Sequence, residues 1–317
     1  MDDELDHFKR AANLSELAAS LGYQLTRGQG ARAASLSMRH PGTDDKIIIR
    51  RDSDGHWTYF SVRDERDSGS VIDFLQRRRS LGLGAVRKEL RAWLREDRPR
   101  PPAGHYRPTL EPQAHDLTAV AAAYAAATMV ESRYLRSRGI SADTLHSARF
   151  ARSYRVDGRG NVLFPHREPA PPARVVGYEV KNRGFTSFAP GGRKTYWMSA
   201  VREDDVRLVI VEGSIDALSY HQLFPRPRTR YLSTAGGIGS EQLALIGQAI
   251  AAMPEGAEIV TATDNDVAGD KLHERLTTVG GAAPIHRHAS PVPKDWNDYL
   301  RTIDRGRASR KELGLGR

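Results

Sequence analysis

The sequence predicts an α/β protein of several domains, the last of which has a parallel sheet covered by helices. Its 317 residues exceed what one hydrophobic core usually supports. From residue 206 onward, apolar runs that end in Gly or Asp alternate with helical stretches. A proline-rich stretch, residues 96–117, separates the first part of the chain from the rest. We therefore expect the α/β domain to follow smaller α+β domains.

Residues 1–95 have the pattern of a small α+β domain. LSELAASLGY predicts a helix, KIIIRRD and HWTYFSVRD predict two short strands, and GSVIDFLQRRR predicts a second helix. Residues 96–117 contain five prolines and no apolar periodicity. That composition predicts an extended linker.

Residues 118–205 predict a second α+β subdomain. TAVAAAYAAATMVESRYLRSRGI has helical spacing, and SADTLHSARF begins with Ser141 as a plausible helix N-cap. NVLFPHRE, RVVGYEV and FAPGGRKTYW then predict a sheet with turns.

Residues 206–303 predict the parallel sheet. The apolar runs VRLVIVEG, TRYLSTAG, AEIVTATD and APIHRHA are separated by the helical stretches SIDALSYHQLF, SEQLALIGQAIAAM and VAGDKLHERLTTV. Strands separated by helices of this length form parallel sheets with the helices on their faces. Residues 304–317 follow as a basic tail.

Composition favours a nucleic-acid partner and restricts the metal chemistry. The pI is near 9.8, with 48 Lys and Arg against 39 Asp and Glu, which suits a polyanion such as DNA or RNA. An Arg-rich composition with a solvated basic surface would give the same numbers. The absence of Cys excludes disulfides, thiolate zinc sites and Cys nucleophiles. We expect any metal to be bound by oxygen.

Hydropathy gives no membrane signal. No apolar run approaches the roughly 20 residues that span a bilayer, and the acidic start MDDELDHFKR does not resemble a secretory signal. We expect a cytoplasmic protein with no membrane partner.

Carboxylates follow two of the predicted parallel strands. VIVEGSID ends one strand at Glu212 with Asp216 one helical turn later, and TATDND ends another at Asp264 with Asp266 two residues on. If the two strands are neighbours, these side chains face one small volume at the carboxyl edge of the sheet. Clustered carboxylates repel one another unless a cation neutralises them, and oxygen ligands suit Mg²⁺ or Mn²⁺. Taken singly, each Asp would more often be a helix N-cap and Glu212 a solvated strand end.

This pair of motifs resembles the Toprim domain of DnaG-type primases, topoisomerases and certain nucleases. The resemblance implies acid/base or metal work for Glu212 and divalent-metal binding for Asp264 and Asp266. Downstream, KDWNDYL is similar to the acidic segment that follows the Toprim core in primases. The further metal candidates are Asp216, Asp295 and Asp298.

The region before the acidic strands resembles the DnaG catalytic core. YLRSRGIS is similar to its opening helix, NVLFPHRE to one of its strands, and RVVGYEV with RKTYW to its Lys-Tyr segment. The resemblance implies that the path of the template or initiating nucleotide is lined by Arg167, Arg183, Lys194 and Tyr196, with Lys194 also serving catalysis. The alternative is that they are ordinary surface residues.

The first domain resembles a primase zinc ribbon that lacks its metal ligands. Aligned on GSVIDFL, the chain has Val62 and Glu65 where the ribbon has Cys, so we expect no zinc. What remains suggests a DNA-binding surface of interleaved aromatic and guanidinium groups, made of Arg50, Arg51, Trp57, Tyr59 and Arg63. These residues would equally suit a sheet face packed on the VIDFL helix.

The combined pattern resembles proteins carried on plasmids and other mobile elements. It implies a DnaG-like primase or nucleotidyltransferase that uses Mg²⁺ or Mn²⁺ and nucleotide triphosphates on single-stranded DNA or RNA. Two rivals stay open: a Toprim nuclease that needs no nucleotide, and a catalytically inactive nucleic-acid-binding accessory protein of a mobile element or defence system. A helicase or relaxase of the same element is a further candidate partner.

Overall fold

The computed structural model describes residues 3–26, 35–52, 54–63, 67–95, 99–102, 104–112, 114–281, 283–292 and 295–312, the last seven by their backbone alone. The chain divides into two compact units, Met1–His115 and Asp116–Arg317. Among the residues described, no helix is long and apolar enough to cross a membrane.

Over its described residues, the first unit has an antiparallel five-stranded sheet and four helices. The order along the sheet is β1-β2-β3-β4-β5. Its elements are α1 (Asp3–Ala11), α2 (Leu14–Ser20), β1 (Gln24–Leu25), β2 (Ser35–Arg39), β3 (Lys46–Arg51), β4 (Trp57–Ser61), β5 (Ser68–Ser70), α3 (Val71–Arg79) and α4 (Leu83–Trp93).

Helix α3 covers the core face of this sheet. It begins at Ser70, whose hydroxyl accepts from the backbone N–H of Ile72 while Asp73 accepts from the backbone N–H of Ser70, a reciprocal capping box. Its buried face packs Phe74 edge-on against Tyr59 of β4. The alternation of β4 therefore directs its large aromatic residues inward.

The first unit also includes much of the proline-rich segment. Leu110 is buried in the core of this unit, and the Asn13 amide donates to the backbone carbonyls of Arg107 and Pro108. The described part of this segment thus packs on the first unit.

The second unit contains a mixed nine-stranded sheet. The order along it is β14-β13-β11-β12-β10-β7-β8-β9, with β6 paired to β7. Its strands are β6 (Arg155–Val156), β7 (Val162–Arg167), β8 (Val175–Asn182), β9 (Phe185–Phe188), β10 (Trp197–Met198), β11 (Arg207–Val211), β12 (Thr229–Ser233), β13 (Glu258–Thr261) and β14 (Ile285–Arg287). Its helices are α5 (Leu117–Ala126), α6 (Arg133–Ser137), α7 (Ala142–His146), α8 (Ser214–Leu223), α9 (Ser240–Ala251), α10 (Val267–Val279) and α11 (Trp296–Glu312).

Strands β14, β13, β11 and β12 are mutually parallel. They are the four predicted apolar runs, and helices α8, α9 and α10 are the three predicted helical stretches between them. β11 is buried at all five positions, as expected for a strand covered by helices on both faces. The predicted α/β fold, with a parallel sheet and flanking helices, is confirmed.

The short strand β10 joins the parallel strands to the antiparallel strands. Trp197 pairs with Ser233 of β12 on one side and with His166 of β7 on the other, antiparallel in both cases. The fully buried Trp197 indole donates to the carbonyl of Ser153 and packs against Phe164. β10 thereby brings the segment just before it, which contains Lys194, toward the carboxyl edge of the parallel strands.

Candidate metal centre

Two neighbouring parallel strands place carboxylates side by side at their carboxyl ends. β11 and β13 pair in register from Arg207 with Glu258 to Ile210 with Thr261. Glu212 follows β11 directly, and the backbone N–H of Asp264, three residues after β13, donates to its Oε1 at 3.1 Å. The two strand ends are therefore joined at the atoms that carry the acidic groups.

Asp216 lies in the first turn of α8 and points back toward the strand end. A Cβ built on Gly213 would lie 2.4 Å from its Oδ2, so the carboxylate occupies space that only a glycine leaves open. Its Oδ1 accepts from the backbone N–H of Asn297 at 3.2 Å. Asp216, 8% exposed, thus connects α8 with the start of α11.

Helix α11 contributes the acidic segment predicted downstream. Asp295 accepts from the backbone N–H of Asp298 at 2.7 Å and so caps the helix. The indole of Trp296 donates to the carbonyl of Ala262, two residues before Asp264, at 2.9 Å. This contact fixes the helix start beside the end of β13.

Asp266 also caps a helix. Its Oδ1 accepts from the backbone N–H of Gly269 at 2.8 Å, so part of its role is the N-cap that an isolated Asp would have. A Cβ on Gly269 would lie 2.0 Å from the carbonyl oxygen of Asp264. This position requires glycine because the helix enters so close to the strand end.

Electrostatics join all six predicted metal candidates into one group, called here the acidic cluster. Burial and then the charges of four carboxylates raise the pKa of Asp264, and burial and then the charges of Asp295 and Asp264 raise that of Asp216. The acidic cluster consists of Glu212, Asp216, Asp264, Asp266, Asp295 and Asp298.

Burial and mutual repulsion shift the pKa values of the cluster upward. Burial, followed by the charges of Glu212 and its other neighbours, raises the pKa of Asp264 to about 7. Burial is also the first cause of the raised pKa of Glu212, where Asp266 adds to the shift, and of the strongly raised pKa of Asp216. Without a cation, the cluster therefore favours bound protons.

The donor set fits Mg²⁺ or Mn²⁺. Among the described residues, Asp264 Oδ1 is buried without a hydrogen-bond partner, an oxygen that a cation would satisfy. The nearby Arg287 donates to the backbone carbonyl of Asp264 at 3.0 Å and pairs with Asp270. Glu212, Asp264 and Asp266 are the residues that would hold the metal, since they follow two adjacent strand ends and the charges of Glu212 and Asp266 act on Asp264.

Lys194 reaches the same edge from the other part of the sheet. Its Nζ donates to the carbonyl of Gly237 at 2.8 Å. Gly237 lies in the glycine-rich loop after β12, whose Gly236 N–H donates to the carbonyl of Glu212 at 3.0 Å. Burial lowers the pKa of Lys194 to about 8, and the charge of Lys181 contributes to that shift.

The other predicted nucleotide contacts lie in different surroundings. Arg167 is exposed and donates to the carbonyl of Ala173 at 3.1 Å. Arg183 is exposed in the turn between β8 and β9. Tyr196 is half-buried and packs on the apolar core beneath α9 and α10. Of these four residues, Lys194 has the contact that links it to the strand end of Glu212.

Two charged residues of β8 were not predicted as site residues from the sequence. Glu179 and Lys181 lie two residues apart on β8, so they share one face of the strand, and their side chains form a 2.8 Å ion pair. Burial and the charges of Asp295 and Asp264 raise the pKa of Asp216, and the charge of Lys181 opposes that shift. The sequence predicted a strand over RVVGYEV, but which residues this strand faces depends on the long-range pairing of β7, β8 and β10.

In the first unit, both aromatic residues proposed for the DNA-binding surface are core residues. Trp57 and Tyr59 are 4% and 2% exposed, because the alternation of β4 points both toward α3. This corrects their assignment to a DNA-binding surface and favours the alternative of a sheet packed on the VIDFL helix. Arg63 is exposed and pairs with Asp44. Phe60, which follows Tyr59 in β4, points to the opposite face and is 43% exposed.

The remaining features of the first unit are the two positions aligned with zinc-ribbon Cys residues and a polar turn. Val62 is exposed, and Glu65 lies outside the described residues. In the turn between β3 and β4, potential ligand atoms of Asp52, Asp54 and His56 lie within 4.8 Å of one another. Asp52 Oδ1 accepts from the backbone N–H groups of the other two residues, which accounts for the arrangement as a side-chain-capped turn.

Over residues 209–300, the chain matches the family model described as Toprim-like, which confirms the Toprim resemblance for this segment. The chain is similar to the primase fragment of the bacteriophage T7 primase-helicase protein, at 20% identity and a TM-score of 0.40, covering 58% of this chain and 78% of that one. It is also similar to the RNA polymerase domain of Mycobacterium tuberculosis primase DnaG, at 18% identity and a TM-score of 0.36, covering 58% and 80%. No curated protein sequence matches the chain.

Proposed function

We propose that this chain, whose residues 209–300 form a Toprim-like domain, is a DnaG-like nucleotidyltransferase that acts on single-stranded DNA with Mg²⁺ or Mn²⁺. The observation that supports this most is the convergence of the acidic cluster around Asp264 at the carboxyl edge of the parallel strands. The same domain also supports metal-dependent cleavage, so the test must separate synthesis from cleavage.

The acidic cluster would act as the metal-holding half of the site. Glu212, Asp264 and Asp266 would hold the cations, and the N–H of Asp264 keeps Glu212 oriented toward the neighbouring strand end. A bound divalent cation supplies charge stabilisation for the attacking 3′-oxygen and the leaving pyrophosphate. Asp216 is held by the backbone N–H of Asn297, so its role is to fix α11 against α8 as well as to add negative charge.

Lys194 would neutralise triphosphate charge from the opposite side. Its contact with Gly237 places the ammonium group beside the loop that follows β12 and that bonds to the carbonyl of Glu212. A fixed cation there would stabilise the charge that develops on the phosphates. Arg167, exposed at the end of β7, would contribute to steering at longer range.

The first unit would contact the template through its open sheet face. Phe60 of β4 pairs with Ile48 of β3, and Arg50 pairs with Thr58, so an aromatic, an aliphatic and a guanidinium group share this face. Exposed rings beside cations bind single strands by stacking and by charge. The face uses Phe60 in place of the inward-facing Trp57 and Tyr59.

The test is to incubate the purified chain with single-stranded DNA, Mg²⁺ or Mn²⁺ and labelled nucleotides, and in parallel with metal alone. We expect incorporation that is lost in Asp264→Asn and retained in Asp143→Asn, an exposed carboxylate outside the acidic cluster. Cleavage by metal alone would assign a nuclease. Neither activity, with DNA binding intact, would assign the accessory role and contradict the proposal.

A further inference from the structure

Two complementary polar atoms at the carboxyl end of β13 are buried and unpaired, although the residues that carry them are in contact. Asp264 Oδ1 is an acceptor and Arg287 Nε is a donor, and within the described residues neither has a hydrogen-bond partner. Arg287 reaches Asp264 all the same, because its Nη2 donates to the backbone carbonyl of Asp264 at 3.0 Å. A guanidinium next to a carboxylate ordinarily forms a charge-assisted, often bidentate pair with it. Here the guanidinium bonds to the backbone of Asp264 instead.

The carboxylate that pairs with this guanidinium is Asp270 of α10, which contacts Nη1. The Asp270 side chain is 58% exposed and that of Arg287 is 20% exposed. Both terminal nitrogens of the guanidinium are thus occupied, one by Asp270 and the other by the backbone of Asp264.

The start of α10 fixes Asp270 relative to the acidic cluster. The helix begins against the strand end, since a Cβ on Gly269 would lie 2.0 Å from the carbonyl oxygen of Asp264. Asp266 caps the helix, and the backbone N–H of Asp270 donates to the carbonyl of Asp266 at 3.0 Å. The stretch TATDNDVAGD therefore has two carboxylates at the proposed metal centre and a third that is held beside it.

We infer that Asp270 is a positioning residue that holds the guanidinium of Arg287 away from the carboxylate of Asp264, so that the buried Asp264 Oδ1 stays free for a divalent cation. The inference rests on the metal centre of the proposed function and adds a residue that keeps this centre open. A released guanidinium would find a carboxylate in the same residue that it now contacts. A guanidinium–carboxylate pair would occupy the oxygens that the cation needs, so Arg287 is a rival of the metal and Asp270 restrains it.

Restraint and charge make different predictions for paired substitutions. If Asp270 acted only through its negative charge, Asp270→Asn would weaken cation binding by the same factor with or without Arg287. If Asp270 restrains Arg287, the loss requires the guanidinium and disappears when Arg287 is replaced. A double-mutant cycle measures this difference. Gln is the replacement for Arg287, because it keeps an amide donor for the carbonyl of Asp264 and carries no charge.

The experiment is calorimetric titration of Mn²⁺ at pH 8 into the full chain and its variants. We expect Asp270→Asn to weaken binding by about tenfold or more, because a charge-assisted pair must then be broken before the cation binds. Arg287→Gln should bind Mn²⁺ at least as tightly as the wild type. In the Arg287→Gln background, Asp270→Asn should change the affinity by no more than about threefold.

The matched control is Glu274→Gln, which removes an exposed carboxylate one turn further along α10 and should change the affinity by no more than about threefold. Thermal melting checks that each variant is folded. Asp270→Ser, which also lacks the charge, serves if Asp270→Asn does not fold.

An equal loss from Asp270→Asn in the two backgrounds would overturn the inference, as would wild-type affinity in Asp270→Asn or weaker binding by Arg287→Gln. So would a wild type that binds no Mn²⁺. A wild type that binds Mn²⁺ with this dependence on Asp270 and Arg287, yet incorporates no nucleotide on single-stranded DNA, would contradict the proposed function and leave the restraint by Asp270 standing.

Discussion

The backbone N–H of Asp264 donates to Glu212 Oε1 at 3.1 Å, so the carboxylate that ends one parallel strand is held by the residue that follows the next strand. The side-chain Oδ1 of Asp264 is buried and, within the described part of the chain, has no hydrogen-bond partner. Burial, followed by the charges of Glu212 and the other neighbouring carboxylates, raises the pKa of Asp264 to about 7. The metal-free site is thus built at a cost to stability.

The first prediction is a pH-dependent destabilisation of the metal-free protein. Between the usual Asp264 pKa of 3.8 and its folded value of about 7, the folded state holds a proton that the unfolded state releases. Its contribution to the free energy of unfolding therefore falls as pH rises through this range. Between pH 5 and pH 8, the free energy of unfolding of Asp264→Asn should rise by about 1–3 kcal/mol relative to that of the wild type, after allowance for solvent screening.

This difference is measured by urea unfolding in a chelator at both pH values. The comparison with Asp264→Asn removes the contribution of groups that titrate in both proteins. Parallel pH profiles for the two proteins would contradict the assigned repulsion.

The second prediction concerns the glycine that lets α10 start beside β13. Gly269→Ala places a Cβ 2.0 Å from the carbonyl oxygen of Asp264, so backbone must move. We expect a loss of about 2–4 kcal/mol in the free energy of unfolding, together with weaker Mn²⁺ binding. Gly239→Ala is the control, because its Cβ would meet nothing within 4 Å. Similar effects of the two substitutions would refute the packing argument.

The third prediction is that Lys194 serves chemistry more than general DNA affinity. Lys194→Ala should slow nucleotide incorporation at saturating DNA by about 2–4 kcal/mol of transition-state stabilisation. If Lys194 were only part of a basic surface, Lys194→Ala would instead reduce the salt slope of DNA binding by about one and leave incorporation unchanged. Rates at saturating DNA, with thermal melting as the folding control, decide between the two roles.

The fourth prediction tests the open face of the first unit. Phe60→Ala should weaken single-stranded DNA binding by about 1–3 kcal/mol with little change in melting temperature, since the ring is 43% exposed. Leu83→Ala on α4 is matched in exposure, at 41%, and should not change DNA affinity. Fluorescence anisotropy of labelled oligonucleotides measures both variants. Equal affinities for wild type and Phe60→Ala would exclude this face.

The acidic positions could be predicted from sequence because local rules fix them. Glu212 and Asp264 each follow an apolar run, and parallel strands place their carboxyl ends together, so β11 and β13 need only be neighbours. Helix capping is part of the role of Asp266 and of Asp295. A capping carboxylate next to a strand end still contributes its charge to the acidic cluster.

The sequence could not predict which face of the sheet the side chains of β4 and β8 point to, because that depends on contacts between distant parts of the chain. In HWTYFS, aromatics occupy both faces of β4, and the sequence does not say that Trp57 and Tyr59 point inward while Phe60 points outward. Glu179 and Lys181 stand in an ordinary alternating strand. The pairing of β10 with both β7 and β12 decides which part of the parallel sheet this strand lies beside.

The most direct test of the central claim, that the acidic cluster binds a divalent cation, is calorimetric titration of Mn²⁺ into the wild type and into Asp264→Asn/Asp266→Asn at pH 8. We expect saturable binding in the wild type and its loss in a double variant that is folded and melts at the same or a higher temperature without metal. Equal Mn²⁺ affinity in the two proteins would contradict the assigned site.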